Sequence, residues 1–269
     1  MSEFGPPHPP LGGPTPLPSR SRRIVDWWRS LASGGEREPE HRWGLGAFLL
    51  VLAVFLLSAV FLAAILQPTP KVKVGVPAEL IATVVPGVLA AAVALLITKL
   101  RGNGPSVDLR WQIHKADLRV GLKLGLAGLA LTIVTVEIWT GIVGSQDATS
   151  AIGALADGSR LSLPAVLVMF CYTWLLGPIC EEIIFRGVCW GAIEGQGWGR
   201  WAAFLLSTSI FAVSHLEPLR TVVLLIISVP IGLGRLLTGR IGSSIIAHQV
   251  NNFLPALTML LISLGVMSP

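Results

Sequence analysis

The sequence predicts an all-α protein, a polytopic helical membrane bundle of about seven (six to eight) transmembrane or membrane-embedded helices. Three observations predict it. The 269 residues are 52% hydrophobic and only 13% charged, with a mean hydropathy of +0.71, whereas soluble domains carry about a quarter charged residues. Several uncharged apolar runs reach the ~20 residues that a helix needs to cross a hydrocarbon core ~30 Å thick. None alternates apolar and polar residues in the manner of an outer-membrane barrel strand.

Residues 1–42 hold "GPPHPPLGGPTPLPSRSRR" and then an Arg- and Glu-rich stretch. Such a segment cannot bury a core and is expected to be a disordered cytoplasmic tail. A short amphipathic turn is expected at "IVDWWRS", with Trp27 and Trp28 at the membrane interface. No cleavable signal is expected, because the apolar region starts only after residue 43 and exceeds a signal-peptide core. Residues 43–160 are read as N-terminal transmembrane helices. The first span is 45–66, ended by "QPTP"; the second is 77–98, followed by "KLRGNGPSVDLRWQIHKADLR"; the third is 118–143 and encloses Glu137. Gly121, Gly125 and Gly128 in the third suit close helix packing. A polar loop, "GSQDATSAIGALADGSR", separates these from 161–269, read as a second membrane core with a long helix over 161–193 and apolar segments at 200–215, 219–237 and 241–264.

The formal charge of +5 comes from the tail and short loops. No aromatic-rich recognition motif accompanies it, so nucleic acid is not an expected partner. The lipid bilayer is. Six arginines in the tail and the basic loop after span two place the N-terminus in the cytoplasm. Cys171, Cys180 and Cys189 share one apolar segment, which argues for buried thiols rather than a disulfide framework. "GQGWGR" at 195–200 follows no strand and is not read as a phosphate loop.

The chemistry is expected in "CEEIIFRG", 180–187. A charge at the bilayer centre costs ~2.5–3.5 kcal/mol against ~0.5 returned by each Leu or Ile, so such residues pair, line a cavity or react. Glu182 and Arg186 stand at i and i+4 and can pair on one face. Glu181 is rotated ~100° from that register and is left unexplained by the pair. "FAVSH" puts Phe211 and His215 at i and i+4, and "HQVNN" does the same for His248 and Asn252. A Glu with two His is the ligand set of a catalytic zinc site and equally the parts of a water-activating acid–base site.

Together "EEIIFR", "FAVSH" and "HQVNN" resemble the three motifs of the CAAX protease and bacteriocin-processing (CPBP, or Abi) family of intramembrane proteases, to which the CAAX prenyl endopeptidases belong. The resemblance covers about 161–264. It implies a helical bundle with its site in a cavity opening within the membrane, and an endopeptidase acting on a peptide or membrane-associated protein. It implies Glu181 as the water-activating base, His215 and His248 as completing the site, and Asn252 as an oxyanion donor. Glu182, Arg186 and Phe211 are the matching supports. The family's grouping with metalloproteases makes Zn2+ the candidate cofactor, with Glu181, His215 and His248 as its ligands; Glu182 is then the nearest other base. Glu137 matches no family motif and is read as a packing or interface residue, His114 as solvated, and Glu217 and Pro218 as ending the helix after His215. A thiol nucleophile at Cys180 has no supporting motif. The Gly-, Ala-, Arg- and Trp-rich composition resembles that of a high-GC bacterium, where prenylated substrates are not expected and leader peptides, small peptides or membrane proteins are. The competing expectation is a non-catalytic scaffold or bacteriocin-immunity-type protein of the same fold. A proton-coupled transporter would show inverted repeats, and none is found.

Overall fold

A computed structural model of the chain describes residues 42–66, 76–144 and 162–267. The N-terminal tail up to residue 41, the "QPTP" linker and most of the 144–160 loop lie outside the described residues. Everything described is helix or short connection, with no strand among the described residues. Helix α1 is Leu45–Leu66, α2 is Val76–Arg101 and α3 is Lys115–Val143. The long helix α4 spans Leu163–Glu194. It is followed by α5, Arg200–Ser214, α6, Thr221–Thr238, and α7, Ile241–Ser263.

These seven elements are the seven segments predicted. Six are long and apolar enough to cross a membrane. The 15 residues of α5 rise about 22 Å, less than the ~30 Å of a hydrocarbon core, so α5 is too short to cross. The outer faces of α1–α3 expose Leu49, Phe61, Leu89, Leu96, Leu126 and Ile142, as a surface solvated by lipid would.

Helix α4 is the core. Its segment Ile183–Cys189 is buried throughout, with α1, α2, α5 and α7 packed around it. Helix α3 packs against α6 and α7 through its glycines. A Cβ added at Gly125 would stand 2.6 Å from Val250 Cβ, and one at Gly121 2.7 Å from Ile246 Cβ. Only hydrogen allows the backbones to approach so closely.

The basic connection between α2 and α3 is a plug rather than a solvated loop. Asp108, fully buried, accepts from Trp43 Nε1 at 2.8 Å and from the Asn103 backbone N–H. Leu109 packs on Gly187 of α4. Its carbonyl accepts from Arg235 Nη1 at 3.2 Å, and Arg235 also stacks over Trp190. Asp117 accepts the His114 backbone N–H at 2.8 Å, satisfying a donor at the start of α3. It also pairs side-on with Arg240 Nε and Nη2, both at 2.8 Å. The first three helices are thereby tied to the last three at one end of the bundle.

Candidate active site

The site forms where α4, α5 and α7 meet. Two π-helical segments interrupt α4, Tyr172–Leu176 and Ile183–Cys189, on either side of the two glutamates. Widened turns of this kind are rare and gather at functional sites. In the first, the Gly177 N–H reaches Tyr172 O, five residues back, and the next residue, Pro178, has no N–H to offer.

Glu182 and Arg186 are both fully buried and joined by an Arg186 Nη1–Glu182 Oε1 bond of 2.9 Å. Arg186 lies over the Phe211 ring at 4.7 Å, and its Nη2 reaches Ser228 O at 3.4 Å. The same Glu182 oxygen meets His248 Nδ1 at 2.9 Å. A carboxylate only accepts, so Nδ1 carries the proton and the imidazole is turned to present Nε2 elsewhere. What Nε2 faces is Glu181 Oε2, at 3.5 Å. The Glu181 side chain is 27% exposed where Glu182 is 0%. One imidazole thus bridges two adjacent carboxylates of unlike surroundings, one sealed and paired, the other open to a reactant. Nε2 and Oε2 face each other as a pair that can share and pass one proton.

His215 ends α5, and its Nδ1 donates to Phe211 O at 2.8 Å. In the neutral ring that leaves Nε2 as an acceptor. The Phe211 ring stands edge-on to both histidines, 4.7 Å from His215 and 5.7 Å from His248 between centroids. The chain turns sharply after the histidine, with Leu216 at φ +55°. Glu217 pairs with Arg220 one turn on, so it serves the turn. Asn252 donates through Nδ2 to Thr173 O at 3.2 Å. Its neighbour Asn251 is buried and accepts from Thr132 of α3 at 2.8 Å.

The structure therefore gathers Glu181, Glu182, Arg186, Phe211 and His248 into one contact network, with His215 joined through Phe211 and Asn252 through α4. Glu137 is exposed on α3, and His114 is exposed in the connection. Cys180 and Cys189 are buried free thiols, while Cys171 is a free thiol on the surface. Both histidines hold Nδ1 on an oxygen and leave Nε2 outward, a hydrogen-bonding habit shared with zinc ligands. Among the described residues, however, no three His, Cys, Asp or Glu side chains come together as a metal-holding group. Glu181 and His248 form a pair without a third ligand among the described residues, and no step below runs through a metal.

Residues 163–254 match the family described as type II CAAX prenyl endopeptidase, Rce1-like. Over that segment the chain is similar to the CAAX protease family. The matched segment is about a third of the chain, begins with α4 and ends just past Asn252. No curated protein and no solved structure matches the chain. Within this matched segment, sequence reasoning passed over Arg235 and the π turns. Arg235 was findable, since an arginine that is the one charge between 221 and 238 is as costly as the charges at 181–186. "GPICEE" carries the corresponding hint for the first π turn, a proline in mid-helix.

Proposed function

We propose that this protein is an intramembrane endopeptidase that hydrolyses a peptide bond with water activated by Glu181. The observation that carries the reading is the His248 bridge between a sealed, paired carboxylate and an open one. Glu182, held by Arg186, fixes the imidazole through Nδ1. Glu181, the exposed partner, is left to take a proton from water as the water oxygen bonds to the scissile carbonyl carbon. His215 Nε2 accepts the second hydrogen of that water and orients it. The carbonyl oxygen becomes an oxyanion, met by the Asn252 amide hydrogen that is not engaged with Thr173. As the C–N bond breaks, the leaving amine takes the proton from Glu181, and the products are a carboxylic acid, which keeps the water's second hydrogen, and an amine; transfer of that hydrogen between them gives carboxylate and ammonium. General base catalysis of this kind supplies about 10²–10⁴ in rate; an oxyanion donor adds about 10²–10³.

The substrate class that fits is a peptide or membrane-associated protein reaching the bundle from within or beside the bilayer. The cell membrane is the proposed location, with the N-terminus in the cytoplasm. Arginine-rich flanks of α1 support that orientation, and protease accessibility of an N-terminal tag in spheroplasts against lysed cells tests it.

The deciding experiment incubates purified full-length protein with a peptide library, prenylated CAAX peptides included. Wild type is compared with Glu181→Gln, each with and without chelator. Cleavage by wild type and loss of at least about 10² in Glu181→Gln support the proposal. A chelator-sensitive rate would add a metal to it. A folded Glu181→Gln protein with full activity overturns it and favours the non-catalytic scaffold.

A further inference from the structure

Eight residues before Glu181, at Thr173, α4 has a backbone acceptor that is met by a side chain of α7. The Gly177 N–H bonds to Tyr172 O and sets the π register. In that register the next donor, at position 178, would serve Thr173 O. Position 178 is proline and has no N–H. The Thr173 carbonyl is met instead by Asn252 Nδ2 at 3.2 Å. One turn earlier on α7, Gln249 Nε2 reaches Leu175 O at 3.3 Å.

Residues 249 and 252 are i and i+3, neighbours along one side of α7. They flank the turn that begins at His248, whose Nδ1 holds Glu182. Helix α7 therefore grips α4 at two levels, by carbonyls of the widened turn and by a carboxylate about two turns further on. The widened turn governs direction as well as satisfaction. One extra residue in a helix rotates everything beyond it by about 100°. Collapse of the turn would swing Glu181 away from His248 Nε2, which it faces at 3.5 Å.

We propose that Asn252 is a positioning residue: its side-chain amide replaces the backbone donor that Pro178 lacks, holds the π turn Tyr172–Leu176 open, and thereby aims Glu181 at His248. Gln249 supports the same turn from the Leu175 carbonyl, two residues on. This rests on the reading of Glu181 as the base, and adds to Asn252 a task separate from any contact with substrate.

The test is a double-substitution cycle on the full chain in detergent, with Tm and kcat both read. Asn252→Ala is made in the wild type and in Pro178→Ala, where the alanine N–H can serve Thr173 O. In the wild type, Asn252→Ala is expected to lower Tm by about 3 °C and kcat by about 10²-fold, as a misplaced base does. In Pro178→Ala the same substitution is expected to cost under about 1 °C, and the double variant is expected to regain at least about tenfold in kcat over Asn252→Ala alone. Equal Tm losses in both backgrounds overturn the clamp. A Tm coupling without recovery of kcat overturns the positioning role and leaves Asn252 as an oxyanion donor, which an alanine at 178 cannot replace. Glu181→Gln, assayed alongside, tests the base itself: full activity there would sink the base reading while the Tm cycle still judges the clamp.

Discussion

Arg186→Met is the most informative single change to the stability of the bundle. Arg186 and Glu182 are both fully buried, and one Glu182 oxygen receives both Arg186 Nη1 and His248 Nδ1 at 2.9 Å. Methionine fills much of the arginine stem, so the change removes charge and donors more than volume. What remains is a buried carboxylate with its cation gone. Breaking such a pair costs about 3–5 kcal/mol. The lower end applies here, because the unfolded reference also stays in lipid and finds partners of its own. At about 2–4 °C per kcal/mol for a chain of this size, Tm should fall by about 6–12 °C. The second variant, Glu182→Gln with Arg186→Met, carries no stranded charge, and its amide oxygen still accepts from His248 Nδ1. It should recover more than half of the loss. Thermal unfolding of the full chain in one detergent, followed by tryptophan fluorescence, reads both. A single variant within about 2 °C of wild type, or a double variant no better than the single, would refute the account of Arg186 as the counter-charge that lets Glu182 exist in the bundle.

Two further predictions concern the scaffold. Gly125→Val should cost about 1–3 kcal/mol by driving α3 off Val250, whereas Gly141→Ala, with nothing within 4 Å of an added Cβ, should hold or raise Tm; similar shifts in the two would argue against close packing of α3 on α7. Asp117→Asn weakens the paired contact with Arg240 at 2.8 Å and should lower Tm by several degrees, with faster hydrogen exchange at the start of α3 and in the 102–114 connection; unchanged exchange there would show that Asp117 does not anchor the plug.

Much of the bundle was legible from composition alone. The run 45–66 contains no charge and is α1 to the residue. The spans 118–143 and 241–264 needed only small extension or trimming to become α3 and α7. The glycines at 121 and 125 were read as packing residues from their spacing, and the contacts with Ile246 and Val250 are the packing itself. The connection after α2 was read by its charge and not by its burial. Asp108 and Leu109 are sealed by Trp43, Arg235 and Gly187, partners 65, 126 and 78 residues away in sequence, and no local pattern announces contacts at that range.

The sequence by itself determined the membrane class, the order and extent of the helices, the i, i+4 pairing of Glu182 with Arg186, and the set of polar residues placed at a cost in an apolar core. Hydropathy and helical periodicity are local properties, so a single strand of text carries them. Only the tertiary structure decided how the two adjacent glutamates differ. That depends on which nitrogen of His248 each one faces, and on a π turn of α4 whose Thr173 carbonyl is served by Asn252 from α7. Those relations join residues 66 to 79 positions apart. They arise from the packing of α7 against α4, and packing satisfies buried donors and acceptors without regard to their separation along the chain.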